Sequence, residues 1–196
     1  DCQGTVQWVR DITADTPDIT SGPDGNIYLV SNSDKLVKLD GSDGSTIWSY
    51  DLGKDLNSVQ ADSEGQVYVG DASGTIHKFD GTSNSSAPSS DIWAFQTGTS
   101  ATVGEIDVGS DYVYTFLYQN QLLKMNKDDG TVVWSKTDFD YTAMSYNGDY
   151  LHISGYSVDG IRRLSLENGT QIANLSAPGN YQTLQPTANG DIVGHS

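Results

Sequence analysis

The chain has 196 residues and a formal net charge of −16, from 23 Asp, 3 Glu, 7 Lys and 3 Arg. A protein that binds nucleic acid through a basic face is excluded, because phosphate neutralisation needs clustered Lys and Arg. A transmembrane segment is excluded too, because no apolar run approaches the roughly 18 residues that cross a bilayer. The single cysteine, Cys2, cannot form a disulfide within the chain or a cysteine-rich metal site.

Four short strand-like runs follow one another after the amino-terminal segment, at residues 18–21, 26–30, 35–40 and 46–50. Each run alternates with a period of two, and Gly, Asp, Asn or Ser breaks separate the runs. The 21 glycines and the abundant Asp, Ser, Thr and Tyr also favour strands and turns over helices. No helical periodicity is present, so a helix bundle and a doubly wound sheet are both excluded.

The four-run unit repeats along the chain. Trp8, Trp48, Trp93 and Trp134 stand at equivalent positions, 40, 45 and 41 residues apart, and Ala173 follows 39 residues after the last. Four short strands in roughly 40 residues are typical of a β-propeller blade, because radial repetition protects the sheet edges. The predicted fold class is therefore all-β, a β-propeller of four-stranded antiparallel blades.

The unit boundaries predict how many blades are present. The predicted blades cover residues 11–50, 55–95, 101–136 and 141–175, with a fifth made of residues 180–196 and residues 4–10. In this arrangement the N-terminal strand completes the last blade, which remains one strand short. We therefore expect residues 1–196 to form a single propeller domain of about five blades, or a fragment of a larger ring of seven or eight.

The segment from Gly25 to Trp48 closely resembles the PQQ-like propeller repeat, which occurs in quinoprotein dehydrogenases and in related non-enzymatic propellers. Residues 65–93 and 112–134 are similar to it as well, and residues 150–173 less so. The resemblance therefore extends over nearly the whole chain. It implies the propeller fold and leaves the activity open, because propellers host unrelated functions.

The resemblance also raises the question of enzymatic activity. The dehydrogenases that it implies have a full eight-bladed ring, calcium, a catalytic Asp and often paired cysteines beside the quinone. This chain has one cysteine, fewer blades and no H-E-x-x-H, C-x-x-C or G-x-S-x-G motif. We expect a non-enzymatic member of the family with no catalytic residue and no cofactor. A quinone-dependent dehydrogenase fragment is the less favoured alternative, and calcium at the Asp-Gly corners is disfavoured because they lack D-x-D-x-D-G spacing.

Two columns of equivalent side chains appear when the units are aligned. The second strands align Tyr28, Tyr68, Tyr114 and His152, and the third strands align Lys38, Lys78, Lys124 and Arg163. The basic column has two interpretations. It forms a ring of positive charge that binds an anion, or each stem packs along its sheet and pairs with a nearby carboxylate, with Asp40 and Asp80 as candidates. The second, structural interpretation is favoured.

The loops on one face of the propeller form a candidate binding surface. They join the fourth strand of one blade to the first strand of the next, or the second strand to the third. The candidate residues are Asp55, Asp71, Tyr118, Asp138, Asp140, Tyr141, Tyr156 and Tyr181. An acidic, tyrosine-bearing face suits contact with a glycan, a cation or a protein, and the alternative is a solvated acidic surface.

Three acceptor sequons, at Asn84, Asn168 and Asn174, favour a location outside the cell and make these asparagines candidates for glycosylation. The acidity resembles that of proteins from high-salt environments, where carboxylates maintain solubility. We expect a recognition, attachment or assembly module at a cell or virion surface, with a protein or glycan partner. A scaffold in a membrane-associated assembly complex is the alternative. Cys2 leaves a free thiol or an intermolecular disulfide, and hence a homo-oligomer, open.

Overall fold

The computed structural model of the chain describes residues 6–12, 15–16, 18–31, 33–118, 121–137, 140–155, 158–175, 181–187 and 191–195. Within these residues the chain forms strands and turns and no helix. The strands are β1 (Asp18–Ser21), β2 (Ile27–Ser31), β3 (Lys35–Leu39), β4 (Thr46–Asp51), β5 (Leu56–Ala61), β6 (Gln66–Asp71), β7 (Thr75–Asp80), β8 (Trp93–Gln96), β9 (Val103–Val108), β10 (Tyr112–Leu117), β11 (Gln121–Asn126), β12 (Val132–Lys136), β13 (Tyr141–Tyr146), β14 (Leu151–Gly155), β15 (Val158–Leu164), β16 (Gln171–Leu175), β17 (Thr183–Pro186) and β18 (Ile192–His195).

The strands pair in chain order into four-stranded antiparallel sheets. Blade 1 contains β1–β4, blade 2 contains β5–β8, blade 3 contains β9–β12 and blade 4 contains β13–β16. A fifth sheet pairs β17 with β18. The prediction of an all-β propeller built from four-stranded antiparallel blades is confirmed.

The chain divides into two compact units. The first unit, residues 1–100, holds blades 1 and 2, and the second unit, residues 101–196, holds blades 3 and 4 with the two-stranded sheet. Each unit has its own core, because the alternating side chains of one blade pack on those of its neighbour. In the first unit the buried core residues are Tyr28, Val30, Leu36, Trp48, Leu56, Val59, Val67, Val69 and Phe79. In the second unit they are Tyr114, Phe116, Leu122, Tyr141, Met144, Leu151, Ile153 and Leu164.

The first strands of neighbouring blades are also joined by hydrogen bonds between an aspartate side chain and a backbone amide. In the first unit, Asp18 Oδ2 of β1 accepts a hydrogen bond from the Val59 amide of β5 at 2.9 Å. In the second unit, Asp107 Oδ2 of β9 accepts one from the Tyr146 amide of β13 at 2.9 Å. These carboxylates satisfy amides that no strand partner reaches, which a buried backbone requires. Burial raises the pKa of Asp18 above its usual value and raises that of Asp107 to about 6.

Residues 6–12 lie against the corner between β3 and β4. The Trp8 indole Nε1 donates to the Gly41 carbonyl oxygen at 3.0 Å. The Trp48 indole of blade 1 donates in the same way to the Ser83 carbonyl oxygen of blade 2 at 3.0 Å. A Cβ at Gly44 would lie 2.6 Å from the Trp8 ring, so this corner needs glycine. Trp8 thus makes the contact of a fourth-strand tryptophan preceding blade 1. The predicted pairing of residues 4–10 with the last blade stays a prediction.

Candidate functional site

The basic column lies in register with the aromatic column inside each blade. The cross-strand pairs are Tyr28 with Lys38, Tyr68 with Lys78, Tyr114 with Lys124 and His152 with Arg163. The next strand adds the repeated tryptophan opposite the lysine in blades 1, 2 and 3. Residues that align between the units of the sequence therefore form one row across each sheet, and in blades 1, 2 and 3 the lysine of that row has a tyrosine on one neighbouring strand and a tryptophan on the other.

Lys38 ties blade 1 to blade 2. Its ammonium is fully buried and lies 2.9 Å from Asp24 Oδ2, 2.8 Å from the Gly81 carbonyl oxygen and 2.6 Å from Asn84 Oδ1. The Tyr28 hydroxyl donates to the same Gly81 carbonyl oxygen at 2.7 Å. The Ser83 carbonyl oxygen lies 3.2 Å from Nζ as well, so four oxygens surround this buried ammonium, and it stabilises the contact between the two blades.

Lys124 makes the equivalent contact in the second unit. Its Nζ donates to the Leu166 carbonyl oxygen of blade 4 at 2.8 Å, and the Trp134 indole donates to the same oxygen at 3.2 Å. The ammonium lies 3.6 Å from the centre of the Tyr112 ring, a cation–π contact. Burial lowers the pKa of Lys124. Lys78 likewise is buried, with Nζ 5.6 Å from the Tyr68 ring centre.

Blade 4 replaces the tyrosine–lysine pair by His152 and Arg163. Arg163 Nε donates to His152 Nε2 at 3.1 Å, and the guanidinium lies 4.5 Å from the Tyr150 ring centre. Since His152 accepts this bond, its ring is neutral. Burial and the charge of Arg163 lower the pKa of His152 to about 4. The histidine is fully buried, in the position of the aromatic column.

The expected carboxylate partners of the basic column need correction. The carboxylate that pairs with Lys38 is Asp24, in the turn between β1 and β2. Asp40 instead accepts hydrogen bonds from the Ser42 amide at 2.8 Å and hydroxyl at 2.6 Å. Asp80 accepts the same pair of bonds from Thr82 at 2.9 and 2.7 Å. Each of these aspartates caps the corner after the third strand, which lowers its pKa.

Asp71 belongs to a buried cluster in blade 2, so its predicted place on an exposed face is wrong. Its carboxyl is fully buried. It accepts hydrogen bonds from the Ser73 and Thr75 amides at 2.9 and 2.7 Å and lies 3.0 Å from Lys54 Nζ. Burial raises the pKa of Asp71, but the nearby His77 ring, the hydrogen bonds from the turn and the Lys54 ammonium outweigh it and hold the pKa well below its usual value. The residue fixes the turn between β6 and β7.

His77 lies between two carboxylates, and the sequence pattern predicts neither contact. Nδ1 is 2.9 Å from Asp91 Oδ2, and Nε2 is 3.6 Å from Asp71 Oδ2. Burial lowers the pKa of His77, but the two carboxylates outweigh burial and raise it above its usual value. A histidine that activates a nucleophile needs one nitrogen facing that nucleophile. Here both nitrogens face carboxylates, so the pair is structural and ties residue 91 to β7.

Three of the predicted face residues meet in the second unit. Tyr118, Asp140 and Tyr141 line a cleft of about 290 Å³ together with Thr142 and Gln182. This group of five residues is called the tyrosine cleft below. Tyr118 is 51% exposed, whereas Tyr141 is 1% exposed and forms the floor. Among the five described lining residues, Tyr118 is the exposed aromatic one and Asp140 is the acidic one, which is half-buried.

The rings of the tyrosine cleft are placed by a buried phenylalanine. The Phe116 ring contacts Tyr118 edge-on, at 5.5 Å between centres and 84° between planes, and lies 6.2 Å from the Tyr141 ring. The register of β9 and β10 shifts opposite Phe116, which marks a β-bulge. Gly104 lies in that bulge, and a Cβ there would collide with the Phe116 ring. Glycine is needed at this close approach.

The other wall depends on the start of β13. A second bulge lies between Tyr141 and Ala143, which leaves Thr142 as the extra residue. Thr142 Oγ1 donates to the Tyr181 carbonyl oxygen at 2.8 Å, so the segment before β17 is held against β13. A Cβ at Gly155 would collide with the Asp140 carbonyl group, so glycine also underlies this wall. Thr142 and Gln182 were missed because neither is charged or aromatic, and the bulge that brings Thr142 into the cleft is not visible in a periodic sequence pattern.

The remaining predicted residues do not join the tyrosine cleft. Tyr181 is half-buried and adjoins it through Thr142. Asp55 is exposed in the first unit, where its carbonyl oxygen accepts a bond from the Ala72 amide. Asp138 and Tyr156 lie outside the described residues. Asn84, Asn168 and Asn174, the three sequon asparagines, are exposed.

Among the described residues, no three His, Cys, Asp or Glu side chains lie together as a metal site requires. None of the described residues belongs to a helix long and apolar enough to span a bilayer.

A protein-family model matches the first half of the chain. The family described as outer membrane protein assembly factor BamB matches residues 1–104. No curated protein sequence matches the chain.

Solved structures match over nearly the whole chain. BamB from Moraxella catarrhalis has a TM-score of 0.60 and 19% identity, over 98% of this chain and 70% of that one. The β-propeller domain of Cps50 (Swd1) from Myceliophteria thermophila has a TM-score of 0.76 and 9% identity, over 93% of this chain and 68% of that one. The computationally designed Ika8 protein has a TM-score of 0.75 and 14% identity, over 97% of this chain but only 61% of its own length. At these identities the likeness establishes the fold alone.

Proposed function

The chain belongs to the family described as outer membrane protein assembly factor BamB, and on that premise we propose that it is a non-catalytic module for protein–protein interaction and assembly. The description of the family as an assembly factor supports this role. The propeller supports it too, since such folds present loops from several blades on one rigid face.

The observation that carries the proposal is that the lysine and histidine side chains best suited to catalysis make contacts within the protein. Lys38 and Lys124 donate to carbonyl oxygens of the next blade, and His77 has a carboxylate beside each ring nitrogen. A general base or nucleophile must be able to face a substrate. These groups face the protein itself, while Tyr118 and Asp140 are among the residues that line the tyrosine cleft. The arrangement suits recognition better than chemistry.

A photo-crosslinking experiment tests the interaction role. Benzoylphenylalanine replaces Tyr118 in one sample and the exposed Val132 of β12 in a matched control, and each full chain is irradiated with an envelope fraction of the producing organism. We expect one dominant adduct from position 118 and none from position 132. Absence of adducts at both positions contradicts the proposal, as does dye reduction on reconstitution of the chain with the quinone and calcium.

We also propose a location outside the cell, at a cell or virion surface. The exposed sequon asparagines Asn84, Asn168 and Asn174 support it, because a glycan must project into solvent. The mass of the intact chain from its native source tests this point. We expect an excess that corresponds to glycans and disappears on enzymatic deglycosylation. An unmodified mass removes this support while leaving the interaction role unaffected.

A further inference from the structure

We propose that Asn147 is a site of spontaneous deamidation, at which an isoaspartate forms and loosens the contact between blades 3 and 4. This modification is independent of the proposed interaction role. Three features carry it: the amide nitrogen that follows Asn147, the groups that bind the Asn147 side chain, and the contacts of the turn in which both lie.

Asn147 is followed by Gly148 in the turn between β13 and β14. Deamidation begins when the amide nitrogen of the next residue attacks the side-chain carbon of asparagine, and glycine at that position adds no hindering side chain. Gly148 is exposed, and a Cβ there would meet nothing within 4 Å, so water and a new ring have room. No acceptor is recorded for the Gly148 amide among the described residues. The attacking nitrogen is therefore not held in a backbone hydrogen bond.

The Asn147 side-chain oxygen is bound by two backbone amides. The Asp149 amide donates to Oδ1 at 3.2 Å and the Tyr150 amide donates to it at 2.9 Å. These bonds direct the side chain along the segment that follows Asn147, where the Gly148 nitrogen lies. They also stabilise the negative charge that develops on Oδ1 during the attack, as the amides of an oxyanion hole do. The turn therefore favours the reaction that its Asn-Gly dipeptide allows.

The reaction needs water and no other reagent. The Gly148 nitrogen loses its proton to solvent and bonds to the side-chain carbon of Asn147, while the side-chain nitrogen takes up a proton and leaves as ammonia. Water then opens the resulting succinimide at one of its two carbonyl carbons. Opening at the side-chain carbonyl gives aspartate. Opening at the backbone carbonyl gives isoaspartate, in which the main chain runs through the former side chain and is one carbon longer.

A second Asn-Gly pair, between β15 and β16, provides a matched comparison within the same chain. Asn168 Oδ1 is also bound twice, by the Thr170 amide at 3.0 Å and the Thr170 hydroxyl at 2.8 Å. The Gly169 amide, however, donates to the Ser165 carbonyl oxygen at 2.9 Å. Attack at Asn168 must first break this bond, which slows the reaction by about tenfold. The two sites thus share a bound side-chain oxygen and differ in the availability of the attacking nitrogen.

The Asn147 turn contacts a residue that joins blades 3 and 4. The Tyr146 hydroxyl donates to the Gly148 carbonyl oxygen at 3.2 Å. The Tyr146 ring stacks on Tyr114 of β10, with 4.9 Å between centres and 24° between planes, and its amide is bound by Asp107 of β9. The extra main-chain carbon of isoaspartate displaces the Gly148 carbonyl group from the Tyr146 hydroxyl. We therefore expect the stack of tyrosines between the two blades to loosen.

Peptide mapping of the aged chain tests the site. The full chain is produced in a bacterium, so that Asn168 carries no glycan, and is incubated at neutral pH. Electron-transfer dissociation then identifies aspartate and isoaspartate at each asparagine at successive times. We expect conversion at Asn147 to be at least about tenfold faster than at Asn168. Equal rates, or faster conversion at Asn168, overturn the proposal.

The same measurement in urea separates the effect of the fold from that of the dipeptide. Both turns are lost in the unfolded chain, so Asn147 and Asn168 should convert there at similar rates. Folding should then slow conversion at Asn168 much more than at Asn147. If folding slows both sites by the same factor, the Asn147 turn protects its asparagine as the other turn does, and the proposal is overturned.

Asn147→Asp separates the added charge from the added carbon. This variant has the charge of the product, keeps side-chain oxygens for the Asp149 and Tyr150 amides, and has a main chain of ordinary length. The isoaspartate form is isolated from the aged chain by chromatography. We expect it to unfold at a lower urea concentration and to lose near-ultraviolet circular dichroism of the tyrosines, whereas Asn147→Asp should differ little from the fresh chain. If the two forms behave alike, the added carbon does not loosen the contact between the blades, and that part of the proposal is wrong.

Discussion

The Lys38 ammonium of blade 1 donates to the Asn84 side-chain oxygen of blade 2 at 2.6 Å. Asn84 is itself a sequon residue, exposed in the corner after β7, and its oxygen also accepts a bond from Asn26 at 3.2 Å. The two donors hold the oxygen toward the protein and so leave the amide nitrogen, the atom that carries an N-linked glycan, for the solvent side. The contact between blades and the candidate modification site therefore share one side chain.

Lys38→Met is expected to destabilise the chain strongly. The substitution removes the ion pair with Asp24 and one of the two donors to the Gly81 carbonyl oxygen, which costs about 3 kcal/mol. Lys124→Met is the matched control, because Lys124 binds a carbonyl oxygen and no ion pair is recorded for it among the described residues. Lys124→Met should lower the free energy of unfolding by about 1 kcal/mol. Urea unfolding of the full chain measures both; a smaller loss for Lys38→Met would contradict the role assigned to it.

The place of Lys38 was predictable from sequence, whereas its partner was not. The repeat aligns Lys38 with the lysine or arginine of the other units in the third strand, and the structure places it in one row with Tyr28 and Trp48. Asp24 lies in the turn between β1 and β2. The period-two pattern predicts which residues face each other across strands, but it says nothing about the side chains of a turn. Asp91, the partner of His77, follows a Ser-rich insertion and was unpredictable for the same reason.

The tyrosine cleft was predictable in part. The propeller repeat places the loops holding Tyr118 and Asp140 on one face, and these residues do meet. The repeat does not say which side chains of a loop are buried, so it assigned Asp71 to the surface although the turn amides bind it. Thr142 is the extra residue of a β-bulge and lines the cleft for that reason. A one-residue irregularity of this kind cannot be predicted from a periodic sequence pattern.

Asp107→Asn is expected to stabilise the chain at neutral pH. Burial raises the folded-state pKa of Asp107 to about 6 from 3.8, so the folded state binds the proton more tightly. The stability that this proton contributes is present below pH 3.8 and is lost as the pH rises through about 6. Asparagine carries no buried charge and should gain about 2 kcal/mol at pH 7, with no gain near pH 4. Asp128→Asn, at an exposed site, controls for the change in net charge; a gain of equal size there would contradict burial as the cause.

His152→Tyr is expected to reduce the sensitivity of the chain to mild acid. The folded-state pKa of His152 is lowered to about 4 from 6.5, so the unfolded chain takes up a proton first as the pH falls. Stability from the neutral ring is complete above pH 6.5 and declines as the pH falls toward 4. Tyrosine fits this column in the other three blades and does not titrate in this range. Thermal melts at pH 7 and pH 5 measure the difference, and an unchanged pH slope in the variant rules out His152 as its source.

The pKa of His77 is expected to be shifted in the opposite direction from that of His152. Its folded-state pKa is raised above 6.5 by Asp71 and Asp91, so its contribution is complete below pH 6.5 and is lost as the pH rises through the folded-state value. The imidazole resonances of His77 and His152 should therefore titrate on opposite sides of the ordinary histidine pKa. His77→Gln and His152→Tyr assign the two signals. Titration of both rings near pH 6.5 would contradict the paired carboxylates as the cause.

Gly104→Ala is expected to destabilise the second unit by about 2 kcal/mol and to disturb Tyr118, because the new methyl group collides with the Phe116 ring. Phe116→Leu alone should cost about 1.5 kcal/mol, since it removes buried ring atoms. In the double variant the smaller leucine makes room for the methyl group, so the two losses should fall short of their sum by at least about 1 kcal/mol. Urea unfolding of the two single variants and the double variant gives the free energies for this double-mutant cycle, and near-ultraviolet circular dichroism reports the environment of the tyrosines. Additive losses would mean that Gly104 is needed for the bulge itself and not for the ring that positions Tyr118.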